Sequence, residues 1–384
     1  MMNKRTLKVE KLARIYDDEI APVWATRFGK MLLRNLAVPE RSQVLDVSCG
    51  TGYPTVEILR RMNESSRLIA IDSSSAMLDV ARRKVADLGP LAKKVFFRTE
   101  SAVPKLSFAD DVYDLVVCNL GLTEMPSLEI ALRDFARVAR RGGEVRCTLP
   151  LAGTFQEFHD LYREVLIKHD KHEALDRLER HIANYPTVDQ VERCMKSANL
   201  AGDVEIEEFQ LLFKSSREFF FAPVIEYGPL TDWKEVAGGG QEMQDVFWYI
   251  KEAIDAYFDG RPFSVTVKAG CLIGRKQEPR AMTPAPVRLS ALDAAIEPPR
   301  PAEPPAGDAV FDDELDTGLP LPPQRIAAGS VQLADPDDLD IEELSADAED
   351  DEDTDDHQAA EEVSIEQDLE AFMDGSKRPG HLDD

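Results

Sequence analysis

The nine residues Val44–Gly52, VLDVSCGTG, constrain this chain more than any other stretch. VLDVS is a short apolar run that passes through a glycine-rich turn, and PTVEILRRM (54–62) then reads as a helix. The pattern repeats. LIAID (68–72) is a second strand, and SSSAMLDVARRKVADLG is a helix with a serine cap and a stop at Gly89. KVFFRTE (94–100) and YDLVVCNL (113–120) read as strands three and four. SLEIALRDFARVARRGG (127–143) reads as a helix stopped by Gly142, and EVRCTLPL (144–151) as strand five. Continuously apolar strands alternating with amphipathic helices predict an α/β fold with a parallel sheet covered on both faces.

Outside this ladder the periodicity changes. Leu12, Ile15 and Tyr16, then Trp24, Phe28, Met31, Leu32 and Leu36, fall at helical spacing and predict a helical lead-in. From Thr154 to about Leu200 the chain turns helical, with a break at Pro186. VEIEEFQLLF (204–213) and PFSVTVKAGCLIGRK (262–276) are late strands flanking a helix around Glu242–Phe258. The helical stretch and the aromatic-rich 213–233 together predict a helical cap insertion over about 154–235.

Charge divides the chain. From Lys276 onward there are 31 Asp and Glu against 7 Lys and Arg, so nearly all of the net charge of −27 lies in the last quarter. That segment has no Trp or Tyr and holds 13 of the 24 prolines, a composition too poor in apolar surface to offset the entropy of ordering. The expected organisation is a globular domain over 1–275 and a disordered acidic, proline-rich tail over 276–384. A near-neutral body beside an acidic tail gives no footprint for nucleic acid. Within the tail, SIEQDLEAFMDG (364–375) has capping-box spacing and places Ile365, Leu369, Phe372 and Met373 on one helical face, a candidate partner-binding helix. Five scattered cysteines without a Cys-x-x-Cys pair argue against a disulfide framework or a zinc site and fit a reducing, cytoplasmic setting. The amino terminus lacks the apolar core of a signal peptide, and no stretch approaches a membrane span.

Four candidate site features stand at carboxyl ends of strands, where an open α/β sheet takes its ligand. The turn Asp46 to Gly52 lets a ligand lie against the main chain at Gly50 and Gly52. Asp72, twenty residues on, can accept from both hydroxyls of a ribose. Glu100 and Ser101 follow strand three, and Asn119, Leu120 and Gly121 follow strand four. A dinucleotide-binding oxidoreductase would need G-x-G-x-x-G, and here the third glycine position is Thr55, preceded by Pro54.

VLDVSCGTG, IDSSSAML and TESA before DLVVCNLGL closely resemble the class I S-adenosylmethionine (SAM)-dependent methyltransferases, in particular the ubiquinone and menaquinone biosynthesis group. The resemblance covers residues 10–150 well, the region to 275 in architecture, and the tail not at all. It implies a Rossmann-like sheet and SAM as cofactor. Asp46, Ser48, Cys49, Gly50 and Gly52 would wrap the methionine part. Asp72 would hold the ribose, with Ser73 and Met77 beside the adenosine and Glu100 and Ser101 flanking the adenine. Asn119 and Leu120 would line the crevice near the methyl group. Two positions depart from the family: Ser48 replaces a glycine, and Thr123-Glu124 stand where a histidine pair is common.

Methyl transfer needs a base only when the nucleophile must lose a proton. Candidates in the cap are His159 and Tyr162, then His169, His172 and His181. His169 and His172 are three apart on a helix but have no further ligands, so no metal is expected. Phe155, Phe158, Tyr162, Phe219, Phe220, Phe221 and Tyr227 are candidate walls of an acceptor pocket. The expected activity is methylation of a small molecule. The alternative is a protein methyltransferase, or a SAM-binding regulator without turnover, recruited through the tail.

Overall fold

A computed structural model of the protein describes residues 4–278. The acidic tail and its 364–375 segment lie outside the described residues. Seven strands form one sheet in the order β3-β2-β1-β4-β5-β7-β6. They are β1 (Gln43–Val47), β2 (Arg67–Asp72), β3 (Val95–Thr99), β4 (Tyr113–Asn119), β5 (Ala139–Pro150), β6 (Leu200–Phe213) and β7 (Phe263–Lys276). The first five are parallel, while β7 runs antiparallel to both β5 and β6.

Strict alternation along each strand produces two cores. Val44, Leu115 and Val117 point to one face and pack with α2 (Ala25–Leu33), α3 (Thr55–Arg61) and α4 (Ser75–Ala86). Leu45, Val47, Val116 and Cys118 point to the other, under α5 (Leu128–Val138) and α8 (Val188–Ser197). Both faces are therefore buried, as the apolar runs predict. Ser74 caps α4, its Oγ accepting from Met77 N at 3.3 Å, as read from the sequence.

Helix α2 is pinned at both ends by polar groups from the sheet. Asn119 Nδ2 donates to Ala25 O at 3.1 Å, and Arg146 Nη1 donates to Leu32 O at 3.1 Å and Arg34 O at 2.8 Å. These last contacts supply donors to carbonyls that a helix end leaves unsatisfied. Glu144 neutralises the buried guanidinium and also accepts from Arg275. Ahead of α2 stand α1 (Lys4–Ile15) and a single π-turn, Tyr16–Ile20.

Three expectations need correction. The helix read over 127–143 ends at Val138, and β5 begins at Ala139. Ala139 pairs with Tyr113 and Glu144 with Leu115, so Arg140–Gly143 form a bulge, turned at Gly142 (φ +72°). Sheet pairing there overrides the helical character of ARR. Helix α4 ends at Ala86, and Gly89 (φ +61°) opens the 3₁₀ turn Gly89–Lys94 instead. The cap is not one insertion over 154–235, because α8 packs under the sheet and β6 is its edge strand. It comprises α6 (Gln156–Lys168) and α7 (His172–Ile182), then α9 (Ser216–Phe221), α10 (Pro223–Glu226), α11 (Leu230–Ala237) and α12 (Gly240–Phe258). No helix among the described residues is long and apolar enough to cross a membrane.

Candidate functional site

The turn after β1 is held by unusual backbone angles. Ser48, Gly50 and Gly52 all have positive φ, at 53°, 54° and 92°. At Gly52 a side chain is also sterically excluded, since a Cβ would stand 3.0 Å from Ala81 Cβ and 3.1 Å from its Cα. Asp72, at the end of β2, ties the turn in place. Its Oδ2 accepts from Gly50 N at 2.8 Å and its Oδ1 from Ser74 N at 2.9 Å. Each carboxylate oxygen keeps capacity for a further hydrogen bond from a ligand hydroxyl. Ser73 is exposed and Met77 half-buried on the first turn of α4.

Asp46 lies fully buried beneath the turn. Thr55 Oγ1 donates to its Oδ2 at 2.6 Å, while Oδ1 has no partner among the described residues. Burial pushes its pKa up to about 7, and the nearby Asp72 adds to this. Cys49 is buried, with its backbone N donating to Ile71 O at 2.9 Å, and burial pushes its thiol up. Glu100 N donates to Asp72 O at 2.9 Å, which brings the loop after β3 beside the ribose candidate. The Glu100 carboxylate accepts from Ser107 N at 3.0 Å and pairs with Arg98 at 2.9 Å, while exposed Ser101 accepts from Val103 N at 3.1 Å.

After β4, Leu120 takes a left-handed conformation (φ 72°), and its N–H donates to Thr148 O and Oγ1, each at 3.1 Å. Ser48 is accommodated because its neighbour is Gly121, where a Cβ would fall 2.4 Å from Ser48 Cβ. The departure at Ser48 is thus matched by a missing side chain across the crevice. Asn119 departs from expectation. Its amide donates to Ala25 O and accepts from Thr148 Oγ1 at 2.8 Å, so the side chain braces α2 against the sheet rather than facing a ligand.

Tyr16 was not singled out from the sequence as a site residue. It sits on the π-turn, with its ring edge 3.8 Å from where a Cβ on Gly50 would be. Such turns recur at functional sites. Burial, with Glu124, Asp72 and Asp17 nearby, pushes its hydroxyl up to about 12. Burial likewise raises Glu124, with Asp72 adding, and it raises Asp72. Asp46, Asp72 and Glu124 are paired with no basic side chain among the described residues. Three raised carboxyls and an orphaned buried oxygen fit a ligand that brings positive charge. SAM does so, through its sulfonium and ammonium groups.

Beyond Leu120 opens a cavity of about 740 Å³ between the strand ends and the cap. Leu120, Leu122, Met125 and Leu149 line it, and Trp24 and Phe155 stack beside it at 6.0 Å and 3°. Its polar side chains are those of Thr123, Glu124, His181, Asn184, Tyr185 and Asp232. Neither favoured base candidate lines it. Tyr162 is fully buried, donates to Trp233 O at 2.9 Å, and is pushed far up by burial. His159 is 1% exposed among Phe155, Phe158 and Trp233, and burial pushes its pKa down to about 3. Of the aromatic wall candidates only Phe155 lines the cavity. Phe158, Phe219 and Phe220 are core, and Tyr227 is exposed. His169 stacks on Tyr249 at 3.6 Å, far from any role here, and His172 begins α7.

Residues 44–143 match the methyltransferase domain family. This chain is a SAM-dependent methyltransferase. It is 28% identical over 212 residues to the demethylmenaquinone methyltransferase of Halalkalibacterium halodurans, spanning 52% of this chain and 85% of that protein. The corresponding enzyme of Staphylococcus aureus is 25% identical over 211 residues, 53% of this chain and 83% of the other. Among solved structures, YcgJ from Bacillus subtilis aligns with a TM-score of 0.44 and 18% identity, covering 67% of this chain and 100% of YcgJ. The fold is the Rossmann-like sheet of class I methyltransferases, and the chain resembles the menaquinone group.

Proposed function

We propose that this methyltransferase acts on a small, mainly apolar molecule that carries a hydroxyl, seated in the cavity beneath the cap. The observation that carries the reading is the cavity's place. It begins at Leu120, on the turn that closes the donor crevice, and ends among the polar groups of the cap. Its volume of about 740 Å³ falls within the range of small-molecule sites. The relatives are named for a quinone, demethylmenaquinone, which supports a small, mainly apolar acceptor.

SAM supplies a methyl group on a positively charged sulfur, whose departure as a neutral thioether needs no acid. The residues of the chain have four tasks. Asp46 and the turn to Gly52, with Ser48 and Cys49, receive the methionine part, and Asp72 holds the ribose. Ser73, Met77, Glu100 and Ser101 border the adenosine. Tyr16 covers Gly50 and excludes water, so that alignment supplies most of the rate. All five cysteines are free thiols, four of them buried, which supports a cytoplasmic setting.

Calorimetric titration with SAM and with S-adenosylhomocysteine tests the donor site. Transfer of labelled methyl to lysate split into small-molecule and protein fractions tests the acceptor. Label in the small-molecule fraction is expected, and label confined to protein would overturn the reading.

A further inference from the structure

We infer that His181 is the base that takes the acceptor's proton, and that Asp232 positions it and stabilises its charged form. The inference rests on the acceptor reading of the cavity and deepens it: the substrate class becomes phenols and enols rather than amines or thioethers.

His181 stands in the last turn of α7 and lines the cavity. Its Nε2 is buried without a hydrogen-bond partner among the described residues. A buried imidazole nitrogen beside an apolar cavity costs stability unless something occupies it. Asp232 lines the same cavity from α11. Two hydrogen bonds clamp α11 to the helices that carry the histidines. Arg177 Nε of α7 donates to Val236 O at 2.9 Å, and Tyr162 of α6 donates to Trp233 O. Trp233, next to Asp232, is fully buried against Phe158, ring centroids 4.1 Å apart, which fixes the aspartate on the cavity wall.

The charged and titratable surroundings point the same way. From α6 come His159, whose ring is 5.9 Å from that of His181 at 79°, and Arg163, which pairs with Glu179 of α7 at 2.6 Å. From α11 comes Asp232. Tyr185 follows α7 with its ring 6.0 Å from His181, and Glu124 lines the cavity from the β4 side. Burial holds His181 below the usual histidine value, so it is neutral at neutral pH and free to accept a proton, while Asp232 favours the imidazolium once formed. Glu124, the other cavity carboxyl, keeps company with Tyr16 and Asp72 and belongs to the donor side.

The step balances. The acceptor O–H proton passes to His181 Nε2, and the electron pair left on the acceptor forms the new bond to the methyl carbon. The carbon–sulfur bond breaks, its pair staying on sulfur as a neutral thioether. The proton then leaves His181 for solvent, past exposed Asp232.

The test uses the full chain saturated with S-adenosylhomocysteine and 4-nitrophenol as probe, because its ionised form is coloured. Wild type is expected to show the phenolate band at pH values where the free probe is still protonated. His181→Gln should bind the probe as the neutral phenol, moving its ionisation up by about one to three pH units, the effect of losing a neighbouring opposite charge. Asp232→Asn should move it the same way by less. Melting curves report whether each variant folds, and His181→Asn serves if the glutamine variant does not. Equal ionisation in wild type and the His181 variant overturns the base and leaves the cavity standing. A wild type that does not bind the probe overturns the cavity reading, and this inference with it.

Discussion

The donor crevice and the cap solve different physical problems. The crevice is shaped by the main chain: Ser48, Gly50, Gly52 and Leu120 hold left-handed angles within two turns, and Asp72 binds two backbone N–H groups. In the cap, the cavity wall is made of side chains such as His181 of α7 and Asp232 of α11, which the main chain only brings near one another. Backbone-made sites are intolerant of added atoms, whereas side-chain-made sites depend chiefly on the polar groups they carry. The two regions should therefore fail in different ways.

The largest expected effect is Gly52→Val. Both its positive φ and the contact with Ala81 exclude a β-branched residue, so SAM binding should fall beyond calorimetric detection while circular dichroism retains the native helix and strand content. Native-like SAM affinity in this variant would erase the contrast between the regions. Next is Gly121→Ala, which forces a Cβ against Ser48 and should cost about 1–3 kcal/mol in urea unfolding. The double variant with Ser48→Gly should recover part of that loss, the contact with Cys118 Sγ at 2.9 Å remaining, a coupling that independent positions would not show.

A smaller effect follows from Asp46. Its carboxyl is raised to about 7 without ligand, and a cationic ligand favours the ionised form. Binding therefore releases a proton below pH 7, and SAM affinity should weaken by up to about tenfold per pH unit as pH falls through that value. Asp46→Asn should flatten the slope. The smallest effect belongs to the cap. His159 is lowered from 6.5 to about 3, so between those values the unfolded chain binds a proton that the folded one does not. Stability is unaffected above the unfolded value and falls below it, by about 1 kcal/mol from pH 6.5 to 5.5. His159→Phe should remove that part of the acid slope in melting measurements.

The same contrast explains what the sequence made legible. Strands, glycines and Asp72 were readable because their signals are local: an apolar run, a turn that tolerates no side chain, an acid at a strand end. Ala139 as the start of β5 was not, because ARRGG has helical character and only pairing with Tyr113 draws it into the sheet. Asn119 sits where the resemblance places a ligand contact, yet a carbonyl 94 residues earlier claims its amide. Among five cap side chains of similar promise, His181 alone faces the cavity, and nothing in its neighbours distinguishes it from His159. Convergence of separate helices leaves no periodicity to read. Tyr16 did carry a signal, an aromatic followed by Asp17 and Asp18, but a π-turn has no pattern that separates it from an ordinary helix.

The double pinning of α2 has a consequence for how this protein can be rebuilt. Its anchors, Asn119 and Arg146, both come from the sheet, and neither belongs to α6, α7 or α9–α12. The helix that follows the Tyr16 turn is therefore held by β4 and β5 of the same sheet that carries the turn after β1. Exchange of the cap helices should leave α2 in place, with Trp24–Phe155, the packing of α10 on the Tyr16–Ile20 turn and the bond from Thr266 N to Glu157 as seams to be refitted. In such a chain, substrate choice and methyl supply are separable inheritances.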